Sequence, residues 1–166
     1  MKALFIGRFQ PFHKGHLASI KQISKQVEKI FLVIGSSQES GTIKNPFSFA
    51  ERKEMLDRCL EGVCEYVVYG VNDMSDDSAW TKKVLETTGV GVEDTVVFTG
   101  NDWTKKCFTE AGLKVKSHDV FFDNLCATEI REKISKGEEW ENLVPEEVLL
   151  FLQEIKGTKR IRSLFS

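Results

Sequence analysis

The sequence predicts an α/β fold of the Rossmann-like kind: an open parallel sheet of five to six strands, helices on both faces, and a small helical C-terminal subregion over 129–166. Three observations predict it. Short runs of Val, Ile and Phe alternate with longer stretches whose apolar residues recur every three or four positions, the mark of strands interleaved with amphipathic helices. The first two such runs are joined by a helical stretch of the length that closes as a right-handed crossover, so their strands run parallel. No internal repeat, low-complexity stretch or Pro/Gly/Ser-rich linker divides the 166 residues, so 1–166 is expected to form one domain.

Ala3 to Ile6 is short, apolar and followed by Gly7, as a buried parallel strand should be. A helix follows with Leu17, Ile20, Ile23 and Val27 on one face, and Ile30 to Ile34 is the second strand. Ser48 with Glu51 forms a capping-box pattern that opens a helix through Met55 and Leu56. Tyr66 to Tyr69 is a third strand, and Asp76, Asp77 and Ser78 start a helix containing Trp80, Val84 and Leu85. Thr95 to Thr99 and Lys114 to Lys116 complete five strands, with Gly100, Asn101 and Asp102 read as a turn. From Glu129 onward no strand pattern recurs. The last clear helix starts at Pro145, whose fixed φ suits a first turn, with Glu146 and Glu147 favoured by the helix dipole; it buries Val148, Phe151, Leu152 and Ile155.

Composition narrows the function classes. With 41% apolar content the chain can bury a core, and a net charge of -2 with scattered basic residues excludes duplex nucleic acid as the main partner. Cys59, Cys64, Cys107 and Cys126 have the spacing of neither a zinc site nor a redox motif, and read as reduced, mainly structural thiols. No apolar run approaches ~18 residues. Met1 is followed by Lys2 and a strand rather than by a signal-peptide pattern, so no membrane association and a cytoplasmic location are expected.

The chemistry concentrates in Gly7-Arg8-Phe9-Gln10-Pro11-Phe12-His13-Lys14-Gly15-His16, which leaves the first strand and enters the first helix. Open parallel sheets bind ligands outside the carboxyl ends of their strands, so this loop is where a phosphate is expected. Gly7 allows positive φ or close approach of a ligand, and Gly15 leaves the helix N–H groups open to phosphate oxygens. His13 and His16 fall on one side of a first turn and can aim both imidazoles at one small object, donating N–H groups to oxygens that gain charge during displacement at phosphorus. A surface pair or a metal site is the competing reading. Zinc needs three or four ligands, and His118, the one remaining histidine, is isolated from any cluster of metal-like spacing, so no protein metal site is expected.

His13-Lys14-Gly15-His16 matches the HxGH signature of the nucleotidyltransferase superfamily, which resembles the HIGH motif of class I aminoacyl-tRNA synthetases. Further blocks occur in order: Gly35-Ser36-Ser37-Gln38, Asn45-Pro46-Phe47 with Glu51-Arg52, Thr128-Glu129-Ile130-Arg131, then Val144-Pro145-Glu146 through Gly157 and Arg160-Ile161. Together with Trp80 they resemble the archaeal type of nicotinamide-mononucleotide adenylyltransferase over almost the whole chain. The resemblance implies transfer of AMP from ATP to nicotinamide mononucleotide, giving NAD and pyrophosphate, with Mg2+ carried mainly by phosphates and a homo-oligomeric, often hexameric, assembly.

It also implies roles. Arg8 and Arg131 are suited to triphosphate oxygens and Lys44 to a looser contact, since a guanidinium offers a planar fork and an ammonium a point charge. Thr128 can donate its hydroxyl at the start of a helix, and Gly7, Phe9, Gln10 and Gly15 frame the nucleotide. Trp80 resembles the residue that stacks on the nicotinamide ring, unless it only packs its helix on the sheet; Asp73 precedes it in the loop after the third strand as a substrate contact, and Asn101 with Asp102 borders the adenine or the nicotinamide nucleotide, unless the two only form a turn. Trp103 and Trp140 read as structural. Two departures stand out: Cys126-Ala127 replaces a serine and a small residue, and Lys44 replaces a frequent arginine, which puts activity rather than fold in question. A different phosphate acceptor, such as phosphopantetheine or a flavin precursor, and a regulatory nucleotide-binding module without turnover remain alternatives.

Overall fold

In the computed structural model, which describes residues 1–117 and 125–166, the sheet contains β1 (Lys2–Gly7), β2 (Lys29–Ile34), β3 (Tyr66–Gly70), β4 (Thr95–Phe98) and β5 (Lys114–Lys116). The spatial order is β3-β2-β1-β4-β5 and every pairing is parallel, so five strands, the lower of the two expected numbers, form the sheet among the described residues. His118 lies outside those residues.

Side-chain alternation splits the interior in two. Ala3 and Phe5 point to one face with Ile30, Leu32, Ile34, Val96 and Phe98, whereas Leu4, Val33 and Val97 point to the other. The first face is covered by α1 (Lys14–Ile23), α2 (Phe49–Leu60) and the C-terminal helices α5 (Ala127–Lys136), α6 (Glu146–Glu154) and α7 (Gly157–Phe165). The second is covered by α3 (Asp77–Thr88) and α4 (Asp102–Glu110), through Trp80, Val84, Cys107 and Phe108. The C-terminal helices contribute Ile130, Ile134, Val148, Leu152 and Ile161 to the same core as β1 and β2. Among the described residues no helix is long and apolar enough to cross a membrane.

Several boundaries differ from the sequence reading for local reasons. α1 stops at Ile23, with Val27 packing from the following turn. Gly100-Asn101-Asp102 does not form a free-standing turn: the Asn101 side chain accepts from the Thr104 N–H at 2.9 Å and caps α4, which the sequence reading missed. The C-terminal helical region opens at Ala127 rather than Glu129, Pro145 is the N-cap of α6 rather than its first helical residue, and Ile155 is the half-buried C-cap. A further helix, α7, follows it. The Ser48 and Glu51 capping box is present in full, each side chain accepting from the other's backbone N–H.

Candidate active site

The strand order reverses direction between β1 and β4, and the crevice at their carboxyl ends is where an open parallel sheet binds ligands. Two lobes open there. One, of about 370 Å³, is lined by residues including Arg8, His13, His16, Cys126, Thr128 and Arg131. The other, of about 450 Å³, is lined by residues including Gly7, Ser36, Asp73, Trp80 and Trp103. Ile6, Arg8 and Asn101 border both, so the lobes meet at the switch point.

The histidine pair is built by a helix cap. His13 is the N-cap of α1, in extended conformation, and its Nδ1 accepts from the N–H groups of Gly15 at 3.1 Å and His16 at 3.3 Å. The Nδ1 of His16 in turn accepts from the His13 N–H at 3.2 Å. Each ring uses Nδ1 as an acceptor, so the neutral tautomer of each carries its proton on Nε2. The imidazoles stack with centroids 3.6 Å apart and planes 19° from parallel, and Phe9 and Phe12 flank His16. Burial lowers the His13 pKa to about 4, so this ring is neutral near pH 7. Gly15 does not leave the helix N–H groups open to phosphate as expected: the His13 side chain accepts from two of them, those of Gly15 and His16.

Charge comes from the arginines. Arg131 is 4% exposed, donates from Nη1 to the Gln10 carbonyl at 2.8 Å and from Nη2 to the Thr128 hydroxyl at 3.3 Å, and its Nε is buried without a hydrogen-bond partner. Burial and the nearby Arg8 guanidinium both lower its pKa. Two mutually repelling cations in a cleft lined by no described carboxylate make a site whose electrostatics favour a polyanion. Thr128 sits in the first turn of α5, after Cys126, the N-cap, whose side chain makes no cap hydrogen bond. Lys44 is exposed and lines neither lobe, so the structure does not bring it to the other cations.

Gly7, Phe9 and Gln10 act through packing. The φ of Gly7 is not positive; a Cβ there would lie 2.9 Å from the Phe9 ring, and Phe9 itself turns the chain with φ 54°. The Gln10 side chain clasps the Phe47 backbone, donating from Nε2 to its carbonyl at 3.0 Å and accepting its N–H at 2.9 Å. In the second lobe, Asp73 accepts from the Ser36 hydroxyl and the Gln38 amide, both at 2.9 Å, which ties the segment after β3 to the segment after β2. Trp80 is 5% exposed and belongs to the core, whereas Trp103, expected to be structural, is 45% exposed and lies against it. Trp140 is buried, as expected.

Sequence reasoning also missed Arg52 as a site determinant. It is wholly buried, and its guanidinium donates to five carbonyls, those of Arg8, Gly35, Ser36, Glu39 and Ser48, at 2.9–3.3 Å. It thereby fixes the loops after β1 and β2. Burial, then Arg8, lower its pKa to about 10. The signal was present: position 52 lies on the same helical face as Met55, Leu56 and Cys59, where an arginine must find partners.

Residues 4–142 match the family described as cytidylyltransferase-like. Curated relatives include the nicotinamide-nucleotide adenylyltransferase of Methanococcus maripaludis strain C5, 41% identical over 99% of this chain and 95% of the relative. The enzyme of the same name from Pyrococcus horikoshii is 41% identical over 99% of this chain and 89% of the relative. A bifunctional NMN adenylyltransferase/ADP ribose pyrophosphatase from Francisella tularensis, solved with AMP and a manganese ion, shares the fold with a TM-score of 0.82 at 26% identity. The similarity covers 98% of this chain and 51% of that one, so the chain spans about half the length of the bifunctional protein.

Proposed function

The chain belongs to the cytidylyltransferase-like family, and on that premise we propose that it transfers AMP from ATP to nicotinamide mononucleotide, giving NAD and pyrophosphate. The observation that carries this reading is the meeting of an anion-favouring lobe and an aromatic, acidic lobe across Arg8 and Asn101. Two nucleotides that join phosphate to phosphate need such a pair.

ATP occupies the lobe of His13, His16 and Arg131, with Gly7, Phe9, Gln10 and Gly15 shaping its floor. Arg8 and Arg131 hold triphosphate oxygens, Thr128 donates its hydroxyl to them, and Lys44 supplies at most a longer-range charge. The acceptor lies in the lobe of Asp73, Trp80 and Asn101, its phosphate reaching toward Arg8. That phosphate is already an anionic nucleophile, so direct in-line displacement needs no general base and no covalent intermediate. His13 and His16 direct Nε2–H groups at α-phosphate oxygens, where charge grows in the transition state. Alignment of two bound reactants contributes ~7–11 kcal/mol in favourable cases.

No group of three or more His, Cys, Asp or Glu able to hold a metal occurs among the described residues, and no described carboxylate lines the ATP lobe. Arg8, Thr128 and Arg131 line that lobe as phosphate binders and would hold a magnesium ion only through the triphosphate they bind, where it would supply neutralisation of triphosphate charge. We place the protein in the cytoplasm as a single nucleotidyltransferase domain over 1–166 that assembles as a homo-oligomer, up to a hexamer. The test is incubation with ATP, magnesium and nicotinamide mononucleotide, with mass detection of NAD and assay of pyrophosphate, beside CTP and phosphopantetheine or flavin-precursor controls. Tight ATP binding with no dinucleotide would make the chain a regulatory module.

A further inference from the structure

The aromatic wall of the second lobe has an unexpected arrangement, and the inference drawn from it rests on the adenylyltransferase reading. Trp80 is covered: Trp103 lies over it with centroids 4.7 Å apart and planes tilted by 41°, and Phe108 meets it edge-on at 5.8 Å. At 5% exposure Trp80 has almost no open face for a planar ligand. Trp103 is 45% exposed and lines the lobe together with Asp73 and Arg8.

The backbone under Trp103 is fixed. It occupies the first turn of α4, directly after the Asn101 cap, while the residues that α4 buries are Thr104, Cys107 and Phe108. The helix is therefore anchored without the Trp103 ring, which is left facing the crevice. An indole face attracts a cationic ring more strongly than other aromatic side chains do. Asp73 is the one carboxylate among the described residues lining this lobe, and Ser36 and Gln38 hold it in place. Its negative charge adds to the attraction for a positively charged pyridine nucleus.

We propose that Trp103 contacts the substrate directly, its ring meeting the nicotinamide of the acceptor nucleotide with Trp80 as its backing. The experiment compares wild type, Trp103→Ala and Trp103→Phe in steady-state kinetics with each substrate varied in turn. Quenching of indole fluorescence by nicotinamide mononucleotide without ATP, melting temperature and assembly state are measured alongside. Trp103→Ala is expected to raise KM for nicotinamide mononucleotide about tenfold and weaken its binding equally, with KM for ATP within about twofold. Trp103→Phe recovers most of the loss. Unchanged acceptor affinity in Trp103→Ala overturns the proposal, as does an equal rise in KM for both substrates. A changed assembly state at unaltered acceptor KM also overturns it, by assigning the ring to a subunit contact. Absence of NAD formation by the wild type would instead strike at the adenylyltransferase reading, and the binding measurement without ATP keeps the two failures apart.

Discussion

Replacing His13 separates its two tasks, because its nitrogens do different things. Nδ1 caps α1 by accepting from Gly15 and His16, and Nε2 carries the N–H that the proposed mechanism directs at substrate. His13→Ala loses both: about 0.5–2 kcal/mol of stability from the missing cap, and about a hundredfold to a thousandfold in turnover from the missing donor. His13→Asn keeps an acceptor at the position of Nδ1 but ends short of Nε2, so stability returns and turnover does not. A pH effect follows from the same burial. The unfolded ring takes up a proton below about 6.5 and the folded ring only near 4, so the unfolded state binds more protons in that window and stability falls as pH drops through it. At pH 5 the loss relative to pH 7.5 is about 2 kcal/mol. Urea midpoints of wild type, His13→Ala and His13→Asn at both pH values, with turnover at pH 7.5, provide the measurement. His13→Asn should lack this part of the acid slope. Normal turnover in His13→Asn, or an acid slope equal to that of wild type, would refute the assignment of Nδ1 to the fold and Nε2 to the reaction.

Other residues give sharper contrasts between fold and site. Arg52→Met strands five carbonyls around both loops and should cost about 3–5 kcal/mol in urea unfolding, a loss that Arg52→Lys recovers in part. Arg160 pairs with both Glu51 oxygens at 2.6 and 3.0 Å and donates to the Pro46 carbonyl, yet its side chain is 32% exposed, so Arg160→Gln should cost only about 1 kcal/mol by the same assay. Asp73→Ala releases the Ser36 hydroxyl and the Gln38 amide N–H and removes the negative charge of the acceptor lobe; KM for nicotinamide mononucleotide should rise several-fold while KM for ATP stays near wild type. Chelation of divalent metal should stop turnover and leave the melting temperature of the unliganded protein unchanged, which a thermal scan with and without chelator checks.

The parts legible in the sequence are those encoded locally. Strand cores such as Ile30–Ile34 are unbroken apolar runs, and the Ser48 and Glu51 cap depends on residues three apart, so both were readable. Strand order was not, because nothing within β1 names β4 rather than β3 as its second neighbour. α4 was missed because Gly-Asn-Asp suits a turn as well as a helix start, and only packing of Thr104, Cys107 and Phe108 decides between them. α7 was not delimited within the expected helical subregion because it begins after Lys156 at φ 56° with no capping side chain and buries only Gly157 and Ile161. Of the residues singled out from the sequence, the histidines, Arg8, Thr128 and Arg131 share one cleft. Lys44 was matched by position in a sequence block, and position along the chain does not determine which way a loop faces.

Why a chain with its histidine-bearing loop near residue 10 should need its last helix becomes physical when the contacts are followed inward. Arg160 in α7 grips Glu51 and the Pro46 carbonyl and lies over the Phe47 ring at 5.6 Å. Gly157 lets α7 approach this point, since a Cβ there would lie 2.8 Å from Leu152 and 3.1 Å from Phe47. The Phe47 backbone is clasped by the Gln10 side chain, and the Gln10 carbonyl accepts from Arg131, which also bonds Thr128. α7 therefore reaches the ATP lobe by two routes, through this relay and through its direct packing against α5, which carries Arg131. A loosened Arg160 should degrade the placement of Arg131 more than that of His13, whose position is set by the cap within its own helix. Arg160→Gln should accordingly raise KM for ATP while leaving the pH dependence contributed by His13 intact; loss of both together would mean that the loop and the cap form one unit.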